Sequence, residues 1–188
     1  MGRSCGQRAV RREVEKNEPT EPKDHALGRS RGGLSTKIHL LCDGDGRPLH
    51  FHLTPGQDHA APALIPLWEG ADAAITDGRG QPVAWPAALA SDKGYRARWI
   101  DDTLIDLAIR PVIPSKINED RETRPVPFDR EAYRDRNIVE RLIGWLKESR
   151  RILTRLEKTA LNYAGMIKLA FIHRDFRILE LCAFSDRA

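Results

Sequence analysis

The chain lacks most of what a secreted or membrane-embedded protein needs. Its three cysteines, Cys5, Cys42 and Cys182, are odd in number, far apart and without a CxxC pair, so neither a disulfide framework nor a zinc cluster is indicated. No uninterrupted apolar stretch approaches about 18 residues, and the arginine-bearing amino terminus has no apolar run of signal-peptide length. These absences point to a soluble protein of a reducing cytoplasm with no membrane partner. No helix-turn-helix, finger or base-reading arginine constellation is recognisable, so sequence-specific reading of DNA would need a part not evident here.

What is present suffices for one folded unit. A chain of 188 residues with 40% hydrophobic content can build a single core and is too short for two domains of ordinary size. The net charge of +4 and pI near 9.1 lean towards a polyanionic partner without requiring one. Residues 1–33 show no apolar periodicity, and Glu13 to Lys23 is a mixed-charge run with two prolines, which reads as a flexible or loosely attached arm. Its Arg3, Arg8, Arg11 and Arg12 suit a phosphate backbone or simply water.

Order is expected from Leu34. Leu34 to Cys42 and Pro48 to Thr54 are rich in strand formers, and the two Asp-Gly steps between them signal a β-hairpin. Alternation puts Leu49, Phe51 and Leu53 on one face and His50 and His52 on the other, with His39 across from them. Metal binding by these histidines is a minor alternative to hydrogen-bonded or solvated side chains. Ala60 to Trp68 reads as a short helix with Asp58 as its cap and Pro62 in its first turn. Ala87 to Ser91 reads as a buried strand that ends at Asp92, followed by a helix through Trp99, Ile100, Leu104 and Leu107 and a strand at Ile109 to Ile113. Strand, acid, helix, strand is an α/β unit whose working groups sit at the carboxyl edge of a parallel strand. Asp92 there is either a presented carboxylate or a helix cap, and both roles are compatible. Pro114 to Asp129 reads as an exposed loop. A last helix over about Lys158 to Leu181 has a broad apolar surface that includes Leu161, Ile167, Leu169, Phe171 and Ile172.

Between them, one helix is expected from about Arg130 to Arg150. Tyr133, Arg136, Glu140 and Lys147 fall at offsets of 0, 3, 7 and 14, within roughly a 60° sector of a helix, while Val139, Leu142, Ile143 and Leu146 gather opposite. A carboxylate flanked by cations suits a divalent metal beside phosphate oxygens. Surface ion pairs on an ordinary amphipathic helix explain the same spacing. From Tyr133 to Lys158 there are eight Lys or Arg against four Asp or Glu, the densest positive region of the chain, including Arg150 and Arg151. Such a patch confers affinity rather than base specificity.

The spacing Tyr, two residues, Arg, three residues, Glu, six residues, Lys resembles the signature around the last catalytic acid of bacterial insertion-sequence transposases of the DDE type. Further blocks in the same order extend the resemblance from Gly28 to Leu179: Gly28-Arg29-Ser30-Arg31-Gly32-Gly33-Leu34-Ser35-Thr36-Lys37-Ile38-His39, then Pro55-Gly56-Gln57-Asp58-His59, then Ser91-Asp92-Lys93-Gly94-Tyr95. The resemblance implies a ribonuclease H-like mixed α/β fold over residues 34–181, with an arm at 1–33 and a tail at 182–188. It implies Asp92 and Glu140 as catalytic, metal-binding acids for Mg2+ or Mn2+, and double-stranded DNA as partner. Tyr133, Arg136, Lys147, Arg31, Lys37 and Lys93 of these blocks, with Arg150 and Arg151 of the basic region, are the DNA-binding candidates. Related enzymes assemble as multimers on paired element ends in the bacterial cytoplasm.

One part of the pattern is missing. The first of the family's three acids stands on the first strand of the domain, and no such strand with an Asp is recognisable in residues 1–33. Asp24, Asp43, Asp45 and Asp58 all lie in the wrong places. The expectation is a catalytic-domain fragment without its first strand, either one frame of a frameshifted gene or a truncated copy. An inactive DNA-binding or dimerising fragment and a ribonuclease H-like nuclease are the alternatives.

Overall fold

The computed structural model describes residues 3–4, 10–11, 25–30, 33–117, 119 and 124–185. Its elements run β1 (Arg3–Ser4), β2 (Val10–Arg11), β3 (Gly28–Ser30), β4 (Gly33–Cys42), β5 (Pro48–Pro55), α1 (Leu64–Ala74), β6 (Ala88–Ser91), α2 (Arg98–Asp106), β7 (Arg110–Val112), α3 (Arg130–Arg134), α4 (Asn137–Glu148), α5 (Arg150–Leu153) and α6 (Ala160–Ser185). β1, β6 and β7 form a parallel sheet in that order, and β4 pairs antiparallel with β2, β3 and β5. This is the expected mixed α/β class, with helices on both sides.

The strand period of two explains why both sides are covered. Leu40 and Cys42 of β4 enter a core with Val139, Leu142, Ile143 and Leu146 of α4 and Tyr163, Ile167 and Phe171 of α6. Leu41, between them, points the other way into a core with Leu64, Leu67 and Ala71 of α1, Leu89 of β6 and Ile100 and Leu104 of α2. β6 repeats the device: Leu89 serves that second core, while Ala88 and Ala90 face Phe128, Ala132 and Tyr133. A continuous apolar strand is what burial on both faces demands.

The β4–β5 turn is built as its Asp-Gly steps suggest. Asp43 Oδ1 accepts from the N–H of Asp45 at 3.0 Å and of Arg47 at 2.8 Å. Gly46 has φ +81°, and a Cβ there would sit 2.9 Å from Ile138 Cγ2, so the turn presses against the start of α4.

Several expectations change. The described parts of residues 1–33 are not without regular structure, since β1 pairs with β6 (Ser4 opposite Ser91), β2 with β4 and β3 with β4. The place beside β6 is therefore held by Arg3–Ser4, although no carboxylate occurs between Met1 and Arg12. The single helix foreseen over 130–150 is broken at Asp135-Arg136 into α3 and α4, because Tyr133 must pack on β6 while α4 packs on β4. Asp58 does not cap the short helix, which starts as a 3-10 turn at Ala61–Ala63 with no side-chain cap. α6 runs through Ser185, beyond the foreseen start of the tail. Its Leu161, Leu169 and Ile172 are exposed, so only part of its apolar surface joins the core. Among the described residues, no helix is long and apolar enough to cross a membrane.

Candidate active site

Asp92 follows β6 directly, at the carboxyl end of a buried parallel strand. Its Oδ1 accepts from the Gly94 N–H at 2.6 Å and its backbone carbonyl accepts from the Tyr95 N–H at 3.1 Å, closing a 3-10 turn over Lys93–Tyr95. The carboxylate at this strand tip caps the 3-10 turn and not the helix foreseen after it, since α2 begins beyond Ala97 with no side-chain cap. Asp92 is buried, and that burial raises its pKa, helped by the negative charge of Glu140 and opposed by the Gly94 N–H and by Arg136. Asp92, Arg136 and Glu140 therefore lie within each other's electrostatic reach although 48 residues separate the two acids.

The link between them can be followed side chain by side chain. Tyr133 of α3 packs on Ala88 and Ala90, the strand that ends in Asp92. The Arg136 guanidinium lies over the Tyr133 ring at 5.2 Å and donates to Glu140 Oε1 at 2.5 Å. Glu140 stands half-exposed one turn into α4, whose opposite face is pinned to the core by Val139, Leu142, Ile143 and Leu146. The core fixes the helix, and the helix fixes where its acid points.

Four of the candidate residues, Asp92, Tyr133, Arg136 and Glu140, thus form one cluster. Lys147 lies half-buried in the last turn of α4, seven residues after Glu140 on the same side. Lys93 is exposed beside Asp92. Lys37 donates from Nζ to the Asp58 carbonyl, one bond of an ammonium that has three donors. Arg150 and Arg151 are exposed on α5, with Arg151 paired to Glu157 at 3.0 Å. Arg31 lies outside the described residues.

Two features escaped sequence reasoning. His39 is fully buried between Thr54, whose Oγ1 is 2.8 Å from Nε2, and the Tyr95 hydroxyl, which bonds Nδ1. If Tyr95 donates to Nδ1, the Nε2–H donates to Thr54, so a neutral ring satisfies both neighbours. Burial, with His52 and Lys37 nearby, lowers its pKa to about 4. His39 does lie opposite His52 in register, yet it serves to brace the turn that carries Asp92. Among the described residues no group of three His, Cys, Asp or Glu could hold a metal. The second feature is Arg155, fully buried, with φ +46°, donating to the carbonyls of His25 and Ala26 and to Thr36 Oγ1, its guanidinium over Tyr163 at 5.0 Å. It reads in sequence as one more member of the basic patch, and nothing there foretells its burial.

Asp92 and Glu140 are hard oxygen donors in overlapping fields, the ligand type that Mg2+ and Mn2+ take. Two ions sharing anionic ligands would need a further carboxylate, and the described residues do not supply it at this place.

Comparison with known proteins agrees with the resemblance. The family described as Transposase DDE domain matches residues 10–173. A putative transposase for insertion sequence element IS402 from Burkholderia cepacia is 30% identical over 148 residues, covering 79% of this chain and 66% of its own length. A putative transposase for insertion sequence element IS6501 from Brucella ovis is 29% identical over 137 residues, covering 73% of this chain and 95% of its own. The chain thus spans just under two thirds of the first relative. Among solved structures, that of the Mos1 strand transfer complex overlaps with a TM-score of 0.38 at 14% identity, covering 92% of this chain and 51% of that one.

Proposed function

The chain belongs to the transposase DDE domain family, and from that premise we propose that it takes part in DNA transposition through a ribonuclease H-like catalytic domain acting on double-stranded insertion-element ends. The observation that carries this reading is the convergence of Asp92 and Glu140, from a strand tip and a late helix, on one electrostatic neighbourhood shared with Arg136. In phosphodiester cleavage and strand transfer a divalent cation, when bound, activates the attacking oxygen and stabilises the leaving one. Asp92 and Glu140 would hold it. Arg136, steadied on Tyr133, and Lys147 would bind phosphate oxygens, with Lys93, Arg150, Arg151, Lys37 and Arg31 extending the path along the backbone. Assembly of two or more chains on paired ends belongs to the same proposal, as does a cytoplasmic setting beside the nucleoid.

A second reading, a DNA-binding and dimerising chain without chemistry, has one observation in its favour: the described residues give the site two acids, not three. Incubation of the chain with end-labelled duplexes in Mg2+ and Mn2+ decides between them. The second reading predicts salt-sensitive binding and no nicking. Robust metal-dependent nicking that Asp92→Ala abolishes would establish the enzyme and reject the second reading. Binding that is absent even at low salt would reject both.

A further inference from the structure

α6 carries two apolar faces, and the described residues cover only one. Tyr163, Ile167 and Phe171 enter the core with α4 and β4. Around the helix from them Leu161, Leu169, Ile172, Phe176 and Leu179 stand in solvent at 51% to 82% exposure. At about 100° per residue these five, together with Lys168 and Asp175, fall within roughly a 120° arc. Among the described residues the core cluster ends at Phe171, and further along this 26-residue helix Arg174 lies over Trp145 at 5.9 Å. A free helix of the length left beyond Phe171 is marginal in water, and an apolar stripe along it calls for a partner. Beside the stripe runs a groove of about 740 Å³ between β5 and α6, walled by His50, Phe51, Ala164, Lys168 and Ile172.

We propose that this face joins two copies of the chain, their α6 helices packed antiparallel about a two-fold axis at Ile172. The charges on the stripe select that occupant. Lys168 and Asp175 flank Ile172 on the same arc, and reversal about Ile172 brings Lys168 of each copy beside Asp175 of the other, so the surface complements itself. The same operation sets Leu179 over Gly165. Glycine is a poor choice in a helix interior, and a Cβ at 165 would meet nothing within 4 Å among the described residues, so none of them requires its smallness. A second helix approaching there does. The five apolar side chains offer on the order of 500 Å² per copy, and the groove wall brings the contact near the ~800 Å² a side of a stable dimer. DNA would gain little from an apolar stripe bearing one lysine and one aspartate. This names the surface for the pairing proposed above and leaves the carboxylates out of account, so it is tested without metal or DNA.

The test is sedimentation equilibrium of the whole chain from about 5 to about 200 µM, at and above the weak, micromolar end of the affinities that interfaces of this size reach. A monomer–dimer equilibrium is expected. Ile172→Glu should leave a monomer with the circular dichroism of a folded chain. Lys168→Glu and Asp175→Lys should each weaken the dimer about tenfold, and the double exchange should restore it. A monomer at every concentration overturns the proposal, as does a dimer indifferent to Ile172→Glu. Failure of the double exchange to rescue the single ones overturns the antiparallel arrangement. None of these outcomes bears on whether Asp92 and Glu140 act in cleavage.

Discussion

Replacing His39 with glutamine separates what its ring does by shape from what it does by staying neutral. The ring is fully buried against Tyr95 and Thr54, with His52 and Lys37 as the nearby charges, and its pKa falls from 6.5 to about 4. A base whose folded-state pKa is depressed gives stability that is whole above its unfolded value and drains away as pH falls towards the folded one. The window is therefore between 6.5 and about 4, and at about 1.36 kcal/mol per pH unit it amounts to roughly 3 kcal/mol, a large part of an ordinary domain's 5–15 kcal/mol. Glutamine keeps polar atoms in the pocket but cannot titrate. At about pH 7.5 it should cost about 1–2 kcal/mol for less well-made hydrogen bonds. At about pH 4.5 the parent chain has lost over 2 kcal/mol of stability, because its unfolded state takes up a proton at His39 that the fold largely refuses, so the variant should equal or exceed it in stability. Urea unfolding of both chains at several pH values measures the difference directly, and titrations common to both cancel. A gap that stays constant from pH 7.5 to 4.5 would refute the claim that the fold holds His39 neutral.

Glu140→Gln should leave the helix and DNA affinity intact, since volume is kept and the phosphate-binding cations remain, while weakening Mn2+ binding about tenfold or more by calorimetry; unchanged metal affinity would reject Glu140 as a ligand. Arg155→Ala should destabilise the chain by roughly 3 kcal/mol or more in chemical denaturation, because the His25 carbonyl and Thr36 Oγ1 lose the guanidinium donor inside the protein while the Ala26 carbonyl keeps only the Thr36 hydroxyl; a cost under about 1 kcal/mol would mean water replaces the guanidinium. Gly46→Ala should cost about 1–2 kcal/mol by thermal unfolding, from φ +81° and the 2.9 Å approach to Ile138; a neutral result would show that the turn yields.

Much of the architecture was legible because it rests on local patterns. The Asp-Gly steps placed the β4–β5 hairpin at its observed position, and the apolar period placed the buried side of α4 at Val139, Leu142, Ile143 and Leu146. The break at Asp135-Arg136 was not legible. Helical periodicity runs through it, and the interruption comes from two neighbours, β6 and β4, pulling Tyr133 and α4 in different directions. The pairing of Arg3–Ser4 with β6 was equally hidden, since a two-residue strand has no period to detect.

The residues by themselves determined which side chains were candidates: Asp92 at the end of a short apolar run, and Glu140 with its tyrosine, arginine and lysine at fixed spacing. Tertiary structure alone decided that these come together, that Arg136 rests on Tyr133 while holding Glu140, that His39 braces the Asp92 turn, and that Arg155 leaves the basic surface for the interior. Spacing along the chain fixes the face of a helix or strand on which a side chain lies. Which face meets which is settled only when cores on both sides of β4 close at once, and burial, charge and pKa follow from that closure.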